Sequence, residues 1–163
     1  MLYKIVYHIN AIIKKLFLRL IYFKHLSIGE GTTWRKGFTI NIEKKGTIKI
    51  GKHCFFNNNC SLTALNLIEI DENTIFGEGV KVYDHNHIFY KKDIPLKKQG
   101  FSIGSVRIGK NCWIGSNCVL LKGTAIGDNC VIGAGCIING KIEPNSIIKR
   151  NYQYNKQRIN YTK

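Results

Sequence analysis

A chain of 163 residues is long enough to bury one core of its own and short for two domains. Its formal charge of +15, from 25 Lys and Arg against 10 Asp and Glu, suits anionic partners: a phospholipid surface, an acidic glycan or the phosphates of a cofactor. No recognition-helix, zinc-finger or aromatic-basic RNA motif accompanies that charge, which argues against nucleic acid.

The excess charge is concentrated at the two ends. Residues 1–25 hold five Lys or Arg and residues 144–163 hold five more, with no acid in either segment. Leu2 to Phe23 is an apolar run broken by Lys4, His8, Lys14, Lys15 and Arg19, without Pro or Gly, so residues 1–25 read as a basic amphipathic helix. It is too interrupted for a membrane span and lacks the small-residue cleavage site of a signal peptide. Two roles stay open for it: a cap over the open sheet edge of whatever follows, or an interfacial helix on an anionic membrane with its basic side chains snorkelling.

From Ile28 the chain repeats every six residues. Openers fall at Ile28, Trp34 and Ile40, then after a short excursion (43–46) at Ile50, Phe56 and Leu62, and after a small adjustment near Asn66 at Ile70, Phe76 and Val82. Ile108 to Glu143 reads as six further hexapeptides in unbroken register. Asn or Gly usually stands fourth in each block, where a residue that enters the left-handed backbone region cheaply turns the chain by a fixed angle. Three such turns close an 18-residue triangular coil, which predicts an all-β parallel β-helix of about five coils. All six cysteines (54, 60, 112, 118, 130 and 136) stand fifth, an inward slot, and read as buried filler with free thiols suited to a reducing cytoplasm.

Between Val82 and Ile108 the register breaks by about 20 residues, an excursion at about 88–107 that a compact solenoid rarely carries without a use for it. Asp84-His85-Asn86-His87 stands at its start. Counting by six puts His85 at a corner, where Asn or Gly sits in other blocks, and His87 in the outward sixth slot shared with Trp113. Imidazole titrates near neutrality and can take a proton from a hydroxyl, so His87 is the candidate general base, with His85 second and Asp84 or Glu78 as orienting carboxylates. A metal pair is the weaker reading, since no third ligand is spaced to help.

The coils, the YDHNH segment opening a long loop, and NCWIGSNCVLLKGTAIGDNCVIGAG after it resemble the hexapeptide-repeat acyltransferases, in particular the maltose/galactoside and capsular-polysaccharide O-acetyltransferase branch. The resemblance covers about Ile28 to Ser146. It implies a left-handed β-helix, a homotrimer with sites between subunits, and acetyl-CoA as donor. It also places the catalytic histidine on His87, acceptor contacts on Asn57 and Trp113, and donor contacts on Trp113, Ser116 and Ala134, with Lys149 and Arg150 left for the CoA phosphates. The family's acidic acceptor residue falls on Ala64 or Leu65, and its closing Gly-Pro segment is missing after Ile148.

The expected organisation is therefore a helix over 1–25, a repeat domain over 26–148 and a basic tail over 149–163. The expected function is O-acetylation of a sugar hydroxyl on a cell-surface or capsular polysaccharide or its precursor. N-acetylation of a nucleotide-linked amino sugar and a non-catalytic scaffold are the alternatives. The expected setting is cytoplasmic, with peripheral attachment to the inner membrane face as a variant.

Overall fold

The computed structural model describes residues 13–43 and 45–150; residues 1–12 of the expected helix and the tail from 151 lie outside the described residues. Short strands stack into three parallel sheets of six, six and five strands, the three sides of a left-handed β-helix. The first coil is Leu26–Ile28, Thr33–Trp34 and Thr39–Ile42. Four more full coils follow, then a sixth with two strands, Lys141–Ile142 and Ile147–Ile148, one coil beyond the expected number.

The openers stack as their spacing predicts. Ile28, Ile50, Ile70, Ile108 and Ile126 form one column; Trp34, Phe56, Phe76, Ile114 and Ile132 the second; Ile40, Leu62, Val82, Leu120 and Ile138 the third. Their side chains are almost fully buried. In the second column the rings of Phe56 and Phe76 lie 4.5 Å apart, and Phe38, from the fifth slot of the first coil, packs on Phe56 at 4.6 Å.

Two of the three corners are strictly regular. The first turns at Gly31, His53, Asn73, Asn111 and Asn129 and the second at Gly37, Asn59, Gly79, Asn117 and Gly135, all with positive φ. The third corner absorbs every change of length: from its last opener to the next, successive coils take 10, 8, 26, 6 and 4 residues. The final figure corrects the sequence reading. The block at Ile138 is cut to four residues, with Gly140 at φ 106°, and Ile142, counted as the fifth residue of that hexapeptide, instead begins the next block's inward column.

The fifth slot is more than filler. Cys54, Cys60, Cys112 and Cys118 each direct the thiol to a carbonyl of the next coil at 3.1 to 3.2 Å, and the hydroxyls of Thr32 and Thr74 make the same bond at 2.7 and 2.9 Å. Cys and Thr share the slot because both are small donors, and a buried carbonyl left without one is costly.

At the open end of the first coil no preceding strand donates to the edge carbonyls. A helix over residues 13–22 supplies the donors from its polar side. Lys14 donates to the Phe38 carbonyl, Lys15 to Gly29 at 2.7 Å, Arg19 to Ile28 at 2.8 Å and the Tyr22 hydroxyl to Ile40 at 3.1 Å. Leu18 alone among its aliphatic side chains is buried. Burial pulls the Lys14 and Lys15 ammonium groups below their ordinary pKa.

Candidate active site

The third corner gives rise to the 26-residue interval, and there the chain leaves the solenoid as a hairpin. His85–His87 pairs antiparallel with Phe101–Ile103, His85 opposite Ile103 and His87 opposite Phe101. The departure is at Asp84 and the return at Gly104, earlier at both ends than the expected 88–107; Ser105–Ile108 already belongs to the fourth coil.

This overturns the phase argument about the histidines. His85 is extended strand, with none of the positive φ of a corner, and the corner histidine is His53, at φ 54°. Nor does His87 share a slot with Trp113, which lies on the second side of the prism. Residues two apart on a strand face the same way, and both imidazoles lie against Phe101, at centroid distances of 5.2 Å for His85 and 4.5 Å for His87.

Asp84 anchors the hairpin. Its carboxylate is fully buried and accepts from the backbone N–H of Leu65 at 2.9 Å and of Asn66 at 2.7 Å, with His85 Nδ1–H donating at 2.9 Å. A buried carboxylate is tolerable only when its lone pairs are satisfied in this way. Asp84 therefore orients His85, whose side chain is 13% exposed, and not the solvent-exposed His87. Glu78 orients neither: it sits at the second corner, where Asn58 Nδ2 donates to its carboxylate at 2.9 Å. Further ties come from Lys122 Nζ to the Ser102 hydroxyl and Asn66 Nδ2 to the Gly104 carbonyl at 2.7 Å.

The remaining candidates gather elsewhere, on the second side and second corner. A groove of about 350 Å³ runs along coils four to six between Trp113, Ser116, Ala134, Ile147 and Lys149. The Trp113 indole is 54% exposed and is paired in register with Val131. Gly115 keeps the floor thin, since a Cβ there would lie 2.6 Å from the Ala134 nitrogen. The Ser116 hydroxyl accepts from the Glu78 N–H at 3.2 Å. Beside the groove a second hollow of about 310 Å³ includes Lys149 and Arg150. Asn57 lies on the same corner two coils before Ser116, its Oδ1 accepting from Arg35 at 3.2 Å, and does not line the groove.

Residues 105–140 match the family model described as bacterial transferase hexapeptide (six repeats), the segment whose coils carry Trp113, Ser116 and Ala134. Nodulation protein L of Rhizobium meliloti (strain 1021) is 33% identical over 98 residues, 59% of this chain and 50% of that protein. The maltose O-acetyltransferase of Clostridium difficile 630 superposes with a TM-score of 0.61 at 27% identity, over 76% of this chain and 65% of that one. A galactoside acetyltransferase in complex with coenzyme A gives 0.59 at 29%, over 72% and 59%. Over about three fifths of its length the chain is thus similar to hexapeptide-repeat acetyltransferases, and residues 105–140 carry their repeat. It spans about half the length of the nodulation protein it matches.

In this hexapeptide-repeat chain the hairpin and the groove do not meet. None of residues 84–104 lines either hollow, because the hairpin leaves from the third corner and the groove occupies the second side. Sequence reasoning also passed over Phe101, against which both histidines pack, and Gln99. The buried Gln99 accepts from the Lys91 N–H at 2.9 Å and donates to the Ile94 carbonyl at 2.7 Å, tying the hairpin's far end together. No period marks either residue; the only cue was a lone amide in a basic loop.

Proposed function

We propose that this protein is an acetyl-CoA-dependent O-acetyltransferase acting on a sugar hydroxyl of a cell-surface or capsular polysaccharide or its precursor. The observation that carries the reading is the groove: an exposed indole and aliphatic side chains along its length, and the cations Lys149 and Arg150 toward one end. That arrangement fits an elongated ligand with an apolar arm and an anionic terminus. The solved galactoside acetyltransferase holds coenzyme A, and two solved relatives above 25% identity are named for sugar acceptors. When bound, acetyl-CoA supplies an acyl group already activated as a thioester.

The chain's own groups then have these roles. Trp113 and Ala134 would flank the apolar arm, Lys149 and Arg150 would meet the phosphates, and the backbone N–H of Ser116 would stabilise a developing oxyanion. His87 would take the proton of the acceptor hydroxyl as that oxygen bonds the acetyl carbon and the carbon–sulfur bond breaks, and would return the proton to the departing CoA sulfur. Asn57 serves the acceptor, with the acceptor's identity left to the panel below. Six free, buried thiols suit a reducing cytoplasm.

The separation of hairpin from groove supports a homotrimer, in which one subunit's histidines close the next subunit's groove. The outward residues of the second side, Phe55, Ile75, Trp113, Val131 and Ile147, make an apolar face, and the hairpin carries exposed Phe89, Tyr90 and Leu96. Light scattering that finds a fully active monomer would end this part of the reading.

The decisive assay is CoA release against a panel of sugar and amino-sugar acceptors. His87→Asn should lower kcat by ~10²–10⁴-fold while acetyl-CoA affinity holds, and His85→Asn should keep most of the turnover. One observation favours a second reading, the 2.9 Å bond from His85 to Asp84, which is how a base is commonly oriented. Loss of turnover in His85→Asn with turnover retained in His87→Asn would transfer the role to His85.

A further inference from the structure

The helix over residues 13–22 is docked the unusual way round. Its Lys14, Lys15, Arg19 and Tyr22 face the first coil and are engaged with carbonyls there. Its apolar residues Ile13, Leu16, Phe17, Leu20 and Ile21 face solvent, each between 55% and 81% exposed, and Phe23 just beyond is 80% exposed. The spacing of the five is i, i+3, i+4, i+7 and i+8, one continuous stripe along a helix. A stripe of that width ordinarily buries against a core, and the core side of this helix is already occupied. An exposed apolar patch of this kind marks an interaction surface.

Charge selects the occupant. Residues 13–25 hold no acid, and while Lys14, Lys15 and Arg19 are engaged with the coil, Lys24 is exposed at the end of the stripe, on a chain of net +15. A second copy meeting this face would bring like charges together at the contact, whereas an anionic surface compensates them. Among the described residues no helix is long and apolar enough to cross a membrane, so a bilayer contact here lies in the interface. We infer that this helix docks the protein on an anionic lipid bilayer, with the Ile13-Leu16-Phe17-Leu20-Ile21 stripe entering the headgroup boundary and Lys24 meeting the lipid phosphates. A basic side chain at the rim of an interfacial helix, here Lys24, acts in this way, its stem along apolar surface and its charge outward. The inference stands apart from the catalytic reading and survives its failure.

The test is sedimentation of the full chain with vesicles of phosphatidylcholine alone or mixed with phosphatidylglycerol. Binding should be stronger on the anionic vesicles by about tenfold or more and should weaken at high salt. The triple variant Leu16→Ser, Phe17→Ser, Leu20→Ser should lose about tenfold or more of that binding. Its melting temperature should hold, because the three side chains point away from the coil. A Phe17→Trp variant, which preserves the stripe, should shift its emission to the blue when anionic vesicles are added. Absence of binding to anionic vesicles, or binding that the triple variant leaves intact, overturns the inference. So does a triple variant that changes the oligomeric state and not vesicle binding, which would give the face to a second copy.

Discussion

In the coils every inward side chain has an equivalent one coil above or below, whereas in the hairpin of residues 84–104 each contact is made once. Phe56 lies between Trp34 and Phe76 in its column, and the thiol of Cys112 repeats what the hydroxyl of Thr74 does in the preceding coil. The hairpin depends instead on Asp84 at its base, Lys122 against Ser102, and Gln99 within its far end. Stability in a stacked solenoid is a sum of like terms between neighbours. The hairpin is held by a few polar anchors that can change without disturbing any column, and it carries the imidazoles proposed for chemistry. The two regions should accordingly fail in different ways.

The largest effect should come from breaking a column. Phe56 is fully buried with a ring on each side, and Phe56→Ala leaves a cavity between two coils. A loss of ~3–5 kcal/mol is expected, read from the denaturant midpoint and shared by all coils, because the Phe76 ring loses its stacking partner and Phe38 keeps only Trp34. A loss well under 1 kcal/mol would mean that the coils close up readily and that the column is not a unit.

Removing the hairpin's anchor should cost less and act locally. Asp84→Ala leaves the Leu65 and Asn66 N–H groups without the acceptor they have now; a buried donor left unsatisfied costs ~1–3 kcal/mol. Hydrogen exchange should accelerate at Leu65, Asn66 and along the hairpin while the first two coils exchange as before. Turnover should fall even with the coils intact, since His85 loses its partner and the strand bearing His87 loses its tether. Uniform acceleration of exchange through every coil would show that Asp84 supports the solenoid itself.

The same contrast explains what was legible beforehand. Openers from Ile28 to Ile132 stack as counted because a period is a statement about neighbours, and in a solenoid each neighbour is one coil away. The period carries no information once the partner is set by a hairpin: His85 pairs with Ile103, and counting by six could only assign it a corner that His53 in fact exemplifies. The orientation of the N-terminal helix was hidden for another reason. Its partners are backbone carbonyls, which no side-chain pattern displays, so an amphipathic stripe read as a cap gives no sign that its polar face turns inward. The groove was readable only residue by residue. Trp113, Ser116 and Ala134 fall together because Ser116 and Ala134 occupy one corner in successive coils, whereas Asn57 and Glu78 share the corner but lie in earlier coils, outside the groove.

The smallest effect tests the fifth slot, where the coils are most repetitive. Cys112 directs its thiol to the Gly127 carbonyl at 3.2 Å, and its own N–H donates to the Thr74 hydroxyl at 3.1 Å. Cys112→Ala removes a donor and a buried sulfur and should cost about 1 kcal/mol. Cys112→Thr restores a donor of similar size in a slot that Thr32, Thr74 and Thr124 already fill, and should recover most of that loss. Alkaline pH separates the thiol from its replacement. Burial raises the Cys112 pKa, as it does for Cys54, Cys60 and Cys118. Above the ordinary thiol value of about 8.5 the unfolded chain therefore releases protons that the folded chain retains. With fewer protons bound in the unfolded state, stability falls as pH rises through this window. The decline should be shallower in Cys112→Thr than in the parent, measured as the melting temperature against pH. An equal slope in the two proteins would mean that this thiol ionises as readily folded as unfolded.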